Sequence, residues 1–150
     1  MLITMVGCQS EKTESVPTAK MFRIQVSTPE NVQADESFDV HSSVVNNSNS
    51  TWEMEHGAGM FTYEVYDQKG QLVQLDDKER FVDAIGYVVT LDPKAAYNYD
   101  EGEHVSSSYN ELSLKEGSYT VISKAKFNVK KDGKEYDIEL KSKPFKINVD

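Results

Sequence analysis

Met54, His56 and Met60 bring two thioethers and one imidazole into seven residues, between Trp52 and a glycine-bearing stretch. Such soft donors suit Cu(I), whereas hard cations select carboxylate and carbonyl oxygens. The same residues also read as a connecting loop, in which Met54 and Met60 fill gaps in an apolar core and Trp52 caps it. The loop is the preferred reading, because no second Met/His cluster accompanies the first. Met21 stands alone, and His41 and His104 lie far away in sequence. His104 sits beside Asp100, Glu101 and Glu103, which reads as a solvated acidic loop before it reads as a hard-metal site. Nucleophilic catalysis requires Ser or Cys near a base oriented by a third group. The serines instead cluster at Ser42-Ser43, Ser48–Ser50 and Ser106–Ser108 without such a context. Neither a phosphate-cradling glycine loop nor a zinc spacing occurs, so the chain is expected to be no enzyme and to need no cofactor.

The elements that carry these residues alternate with period two, the signature of half-buried strands. Phe22, Ile24 and Val26 form one apolar row, and Phe38, Val40, Ser42 and Val44 another. Phe61, Tyr63 and Val65 form a third, and Tyr119, Val121, Ser123, Ala125, Phe127 and Val129 the longest. Tyr136, Ile138 and Leu140 follow, then Phe145, Ile147 and Val149 beyond a break at Pro144. The continuous run Tyr87–Leu91 predicts a strand buried on both faces. Residues 75–85 allow one or two helical turns and no more. With 7 to 9 short strands and almost no helix, the expected fold is an all-β antiparallel immunoglobulin-like sandwich.

Asp132-Gly133 fixes the best-determined element. Both central positions of a type I′ turn need positive φ, which Asp and Gly accept. A two-residue loop there sets Lys131 opposite Lys134, Val129 opposite Tyr136, Phe127 opposite Ile138 and Ala125 opposite Leu140. On the other face Lys126 meets Glu139, Asn128 meets Asp137 and Lys130 meets Glu135. Asp67-Gln68-Lys69-Gly70 predicts a second hairpin with Gly70 in the left-handed region. Leu114-x-x-Gly117-x-Tyr119 resembles the tyrosine corner of immunoglobulin-like domains, in which the hydroxyl bonds backbone a few residues upstream.

The net charge is −9, from 25 acidic and 16 basic side chains. Residues 30–116 carry 18 acids and 5 bases, a balance of −13; residues 117–150 carry 8 bases and 5 acids, a balance of +3. A chain this acidic, with no basic stripe, is a poor match for nucleic acid. Cys8 is the one cysteine, so no internal disulfide forms and the fold must rest on apolar burial. It closes Leu2-Ile3-Thr4-Met5-Val6-Gly7-Cys8, which resembles the lipobox of bacterial lipoproteins, where cysteine is lipidated. Residues 9–18 are polar and Pro-bearing, as a flexible spacer requires. Residues 1–19 are therefore expected to be a truncated lipoprotein signal, lipobox and tether, and residues 20–150 the sandwich domain. The implied location is the extracytoplasmic face of the cell membrane of a Gram-positive-type bacterium, with a lipid on Cys8.

Four segments in order resemble the BsuPI-like proteinase-inhibitor domain of Gram-positive bacteria: Val44-Val45-Asn46-Asn47-Ser48, Phe61-x-Tyr63-x-Val65-Tyr66-Asp67-x-x-Gly70, Leu91-Asp92-Pro93 and Gly117-Ser118-Tyr119. The resemblance implies a protein-binding or inhibitory domain and transfers no reactive residue. Its partner would be an envelope protein, bound by a monomer. Sandwiches present function on loops held by a rigid scaffold, which directs attention to residues 46–60 and 97–110. Trp52, Tyr97, Tyr99 and Tyr109 are the candidate contact residues there, since aromatic side chains dominate recognition energetics.

Overall fold

Asp132 and Gly133 both adopt positive φ, at 51° and 73°, and the hairpin they close has the register their turn type dictates. Two strands flank the turn, here labelled β9 (Gly117–Lys131) and β10 (Lys134–Lys141). Lys131 pairs with Lys134, Val129 with Tyr136, Phe127 with Ile138 and Ala125 with Leu140. The computed structural model describes residues 16–73, 84–99 and 110–150 of the chain. Of the turns predicted within 75–85, residues 75–83 lie outside them, as do Cys8, His104 and Tyr109.

The other elements in chain order are a short 3-10 turn (Ala19–Met21), β1 (Phe22–Ser27), β2 (Ser37–Asp39), β3 (His41–Asn46), β4 (Trp52–Gly57), β5 (Phe61–Tyr66), β6 (Gly86–Leu91), β7 (Ala96–Asn98), β8 (Glu111–Ser113) and, after β10, β11 (Phe145–Val149). All the strand pairs are antiparallel. One layer runs β1-β3-β7, continued by β2-β8, and the other runs β10-β9-β4-β6.

Several of these strands are halves of one. β4 and β5 lie along the same edge of β9, with Glu55 opposite Asn128 and Phe61 opposite Ala125. Between them the register shifts by three residues at Ala58-Gly59-Met60, where Ala58 and Met60 turn into the core and the Lys126 N–H donates to the Met60 carbonyl at 3.0 Å. β10 and β11 share the opposite edge of β9. Their break lies at residues 142–144, where Ser142 substitutes its side chain for the ladder. The Ser142 N–H donates to the Ser123 carbonyl (2.8 Å), and the Ser123 N–H donates to Ser142 Oγ (2.9 Å). β2 and β3 are likewise one strand interrupted at Val40, paired first with β8 and then with β7. Joining these three pairs of halves leaves eight strands among the described residues, four in each layer. This is the immunoglobulin-like arrangement, with β9 as the strand that enters from the tyrosine corner.

That corner has the expected bond. The Tyr119 hydroxyl donates to the Lys115 carbonyl at 3.0 Å. Gly117 holds φ at 149° against the Tyr119 ring, a backbone region that favours glycine. The Asp67 turn also forms as expected. Asp67 Oδ1 accepts from the Lys69 and Gln71 N–H groups at 2.8 and 2.9 Å, Gly70 takes φ 75°, and Leu72 returns to bridge Tyr66.

The interior holds two apolar clusters. Phe22, Trp52, Met54, Met60, Phe61 and Phe127 dominate one, and Val40, Leu112, Val121 and Ile147 the other. Hydroxyls join them: Tyr63 donates to Ser42 Oγ (3.0 Å), which donates to Ser123 Oγ (2.8 Å). These serines hold the inward rows predicted for them, and buried hydroxyls need such partners.

Two sequence expectations are corrected and a third is refined. The segment from Trp52 is a strand rather than part of a connecting loop, because Trp52, Met54 and His56 alternate inward with Glu53, Glu55 and Gly57. Tyr87–Leu91 is an edge strand whose open face carries Val88 at 63% exposure; β-branched side chains suit a pleated strand whether or not it is covered. Lys130 stands opposite Glu135 in the expected register, while its ammonium bonds Glu55 of β4 at 2.6 Å. Lys126 does reach Glu139, at 3.4 Å, and Lys124 bonds Glu64. Three of the four cations of β9, Lys124, Lys126 and Lys130, are thus met by acids on the strands to either side.

Candidate functional site

Where β6 and β7 form neighbouring edges of the two layers, four rings converge. His56 faces inward from β4 and is 6% exposed. Its register partner Tyr87 on β6 stacks on it, with centroids 5.1 Å apart and planes inclined by 15°. Tyr99, just beyond β7, meets His56 at 4.8 Å and Tyr87 at 4.9 Å. Tyr97 comes from the opposite layer and bonds His56 Nε2 through its hydroxyl at 2.8 Å. Beside this cluster a surface cleft of about 670 Å³ opens between Met60, Ile85, Tyr87, Val88, Lys126 and Phe127.

The imidazole has one consistent tautomer. Its Nδ1 lies 2.8 Å from the Gly57 carbonyl, which only accepts, so Nδ1 carries the proton and Nε2 accepts from Tyr97. Burial pushes the Tyr97 phenol up, with Tyr87 adding to the effect, and this keeps it a donor. Burial lowers the pKa of His56, partly opposed by the Gly57 carbonyl. A proton added at Nε2 would confront a hydroxyl already pointing its own hydrogen there.

This has a measurable consequence. A histidine with a depressed folded value leaves the unfolded chain holding more protons over the titration range. Its contribution is then complete above the ordinary value of 6.5 and is lost as pH falls below it. Urea unfolding of the wild type is expected to show a larger loss of stability between about pH 7.5 and about pH 5.5 than His56→Phe does. Equal losses would show that the buried imidazole does not govern the acid response.

The soft donors are buried rather than presented to solvent. Met54 and Met60 are 0% and 2% exposed and pack in the same apolar cluster as Trp52, Phe61 and Phe127. Both ring nitrogens of His56 are engaged, so a bound ion would have to displace the Tyr97 hydroxyl. Among the described residues no group of three or more His, Cys, Asp or Glu side chains is placed to hold a metal. His41 is exposed on β3, as expected for the polar face.

Of the candidate contact residues, Tyr97 and Tyr99 meet at one place. Trp52 does not join them. It lies at the far end of β4, 3% exposed, with Nε1 donating to Ser48 Oγ at 2.9 Å and Lys131 Nζ 5.7 Å from its ring centroid. Sequence reasoning missed Tyr87, whose unbroken apolar run reads as buried throughout, and missed His56 as a partner of tyrosines. The alternation of Trp52, Met54 and His56 was the available signal for the latter.

The pairing order and the tyrosine corner define an immunoglobulin-like β-sandwich domain. No protein family matches the chain, and no curated protein does. Among solved structures, a structural-genomics protein designated SoR45 is similar at 15% identity, over 87% of this chain and 88% of its own, with a TM-score of 0.41. The CARDB domain of the PF1109 protein of Pyrococcus furiosus, solved in complex with di-metal ions, is similar at 14% identity over 90% and 94%, with a TM-score of 0.34. The ASH/PapD-like domain 7 of human CEP192 is similar at 10% identity over 95% and 98%, with a TM-score of 0.33.

Proposed function

We propose that this chain is a non-enzymatic protein-recognition module, held on the extracytoplasmic face of a bacterial membrane by a lipid on Cys8. The observation that carries the recognition reading is β6. It is a six-residue edge strand that pairs, among the described residues, with β4 alone. It exposes Val88 at 63% and is preceded by Ile85 at 37%, alongside the cleft next to His56 and Tyr87. An edge with unpaired N–H and C=O groups and apolar side chains is a template for an incoming strand, and strand addition is a recurrent mode of peptide recognition. The His56 cluster packs beside that edge through Tyr87. Inhibition of an envelope proteinase is the finer form of this reading, suggested by the residue resemblance to BsuPI-like domains. The spacer composition of residues 9–18 and the lipobox-like run before it support the anchor.

The test is affinity capture from an extracytoplasmic protein fraction, comparing wild type with Val88→Lys. Lysine on an open edge opposes strand addition and leaves a surface position folded. Recovery of a protein partner by wild type and its loss, by roughly tenfold or more, in the variant is the expected result. A partner retained equally by both would sink the β6 assignment. Labelling of the wild type, but not Cys8→Ser, with radioactive palmitate in a Gram-positive host tests the anchor independently.

A further inference from the structure

On the side of the sandwich away from β6, the two layers present another pair of edges. β1 pairs only with β3, and β10 only with β9, among the described residues. Each therefore keeps a row of backbone N–H and C=O groups directed away from its partner. Between them lies a groove of about 690 Å³. Its floor is apolar, with Phe22, Ile24 and Leu140 buried and Val26 and Phe145 half-buried. Its rim is cationic. Lys20 and Arg23 stand on one side, Lys141 and Lys143 on the other, all exposed.

These four cations differ from those of β9. Lys124, Lys126 and Lys130 each hold a carboxylate of a neighbouring strand, whereas none of the four rim residues makes a salt bridge among the described residues. Glu139 is the single acid lining the groove, and it is turned to Lys126. In a chain of net charge −9, two open strand edges thus flank an apolar floor under a positively charged rim. Bulk solubility would not require that arrangement, because the acids are elsewhere and in excess.

We propose that the groove between β1 and β10 binds an extended acidic segment of a partner protein, added as a strand to one of the two edges. The lengths fit: β1 has six residues and β10 eight, enough for about six residues of extended ligand. Alternate ligand side chains then divide between two environments. Apolar ones meet Ile24, Leu140 and Phe145, and carboxylates meet Arg23, Lys141 and Lys143. Opposite charges at the rim set orientation and on-rate, and the backbone ladder supplies affinity.

The experiment titrates the full chain against fluorescein-labelled octapeptides and reads anisotropy. Three probes are used: alternating Val and Glu, alternating Val and Lys, and the Val/Glu peptide with a central proline. The Val/Glu peptide is expected to bind at least about tenfold more tightly than either control, and its affinity to fall with added salt. Arg23→Glu/Lys143→Glu is expected to lose at least about tenfold of that affinity, with Lys20→Glu/Lys141→Glu as an independent second variant. Val88→Lys should leave this binding unchanged, so failure here and failure of the β6 reading are separable. Equal binding of acidic and basic peptides, or no loss in either double variant, overturns the proposal. So does binding of phosphatidylglycerol vesicles without peptide binding, which would make the rim a lipid contact. A dimer abolished by the same double variants would assign the groove to a second copy and also overturn it. Peptide binding that emerges only after residues 1–15 are removed would assign the groove to the chain's own leading segment and would equally overturn the proposal.

Discussion

Asn46→Asp is expected to destabilise the domain by roughly 3–5 kcal/mol, enough to unfold much of the population at moderate temperature. Asn46 is completely buried at the end of β3 and joins three separate pieces of chain. Its amide nitrogen is shared among the carbonyls of Ser50 (2.7 Å), Leu91 (3.1 Å) and Asp92 (3.2 Å). Its amide oxygen accepts from the N–H and hydroxyl of Ser48 at 3.0 and 2.7 Å. Ser48 in turn receives the Trp52 indole N–H. The backbone of Asn46 adds bonds to Lys94 and Ala95, so the turn after β3 and the link from β6 to β7 close around this residue. Aspartate is nearly isosteric but cannot donate, and it would set a carboxylate against three carbonyl oxygens. Asn46→Ala should cost less, about 2–3 kcal/mol, because it removes bonds without adding charge. Thermal unfolding of the two variants should therefore rank Asp below Ala below wild type. The reverse order of the two variants would show that the network contributes through volume rather than polarity.

Phe127→Ala is the second large effect, at about 3–5 kcal/mol, or roughly 10 °C or more in Tm for a chain of this size. Phe127 lies in the middle of β9, 2% exposed, and its ring meets Phe22 of the opposite layer edge-on at 5.3 Å and 86°. Its cross-strand partner is Ile138, so truncation opens a void against both the facing layer and the neighbouring strand. Lost transfer energy and residual cavity then add. Phe127→Leu should recover more than half of the loss, since it restores most of the volume. If the leucine variant is no better than alanine, the specific ring contact with Phe22 rather than filled volume carries the stabilisation.

The sequence was most informative where a turn and an apolar row make the same demand. Asp132-Gly133 permits one register, and that register also buries Phe127, Val129, Ile138 and Leu140 together. The tyrosine corner was legible for the same reason, since Gly117 and Tyr119 are both needed for one bond. The halved strands were not legible. Within each piece the alternation is intact, and nothing in Ala58-Gly59-Met60 announces that Phe61 resumes along the same neighbour. Trp52–Gly57 was obscured by composition: two glutamates, a histidine and a glycine are weak strand formers, although their spacing obeyed period two. For the candidate site, Tyr97 and Tyr99 were found but their companion was misjudged. Trp52 is the conspicuous aromatic, yet it belongs to the Asn46 turn, and Tyr87 takes the place beside His56. An unbroken run such as Tyr87–Leu91 cannot by itself distinguish a central strand from a marginal one.

The 15 residues of β9 pair with β4, β5, β10 and β11, and all but β10 and β11 precede it in the chain. During synthesis the first 116 residues therefore emerge with β4 and β5 lacking the long strand they share, although β1-β3-β7, β2-β8 and β4-β6 can already pair. Contacts of such long sequence separation make assembly slow. The nascent polypeptide should accordingly remain pliable and protease-sensitive until residues beyond about 130 are available, then acquire order in a single late step. A ribosome-stalled fragment ending before Gly117 should be digested readily, whereas the completed chain should resist.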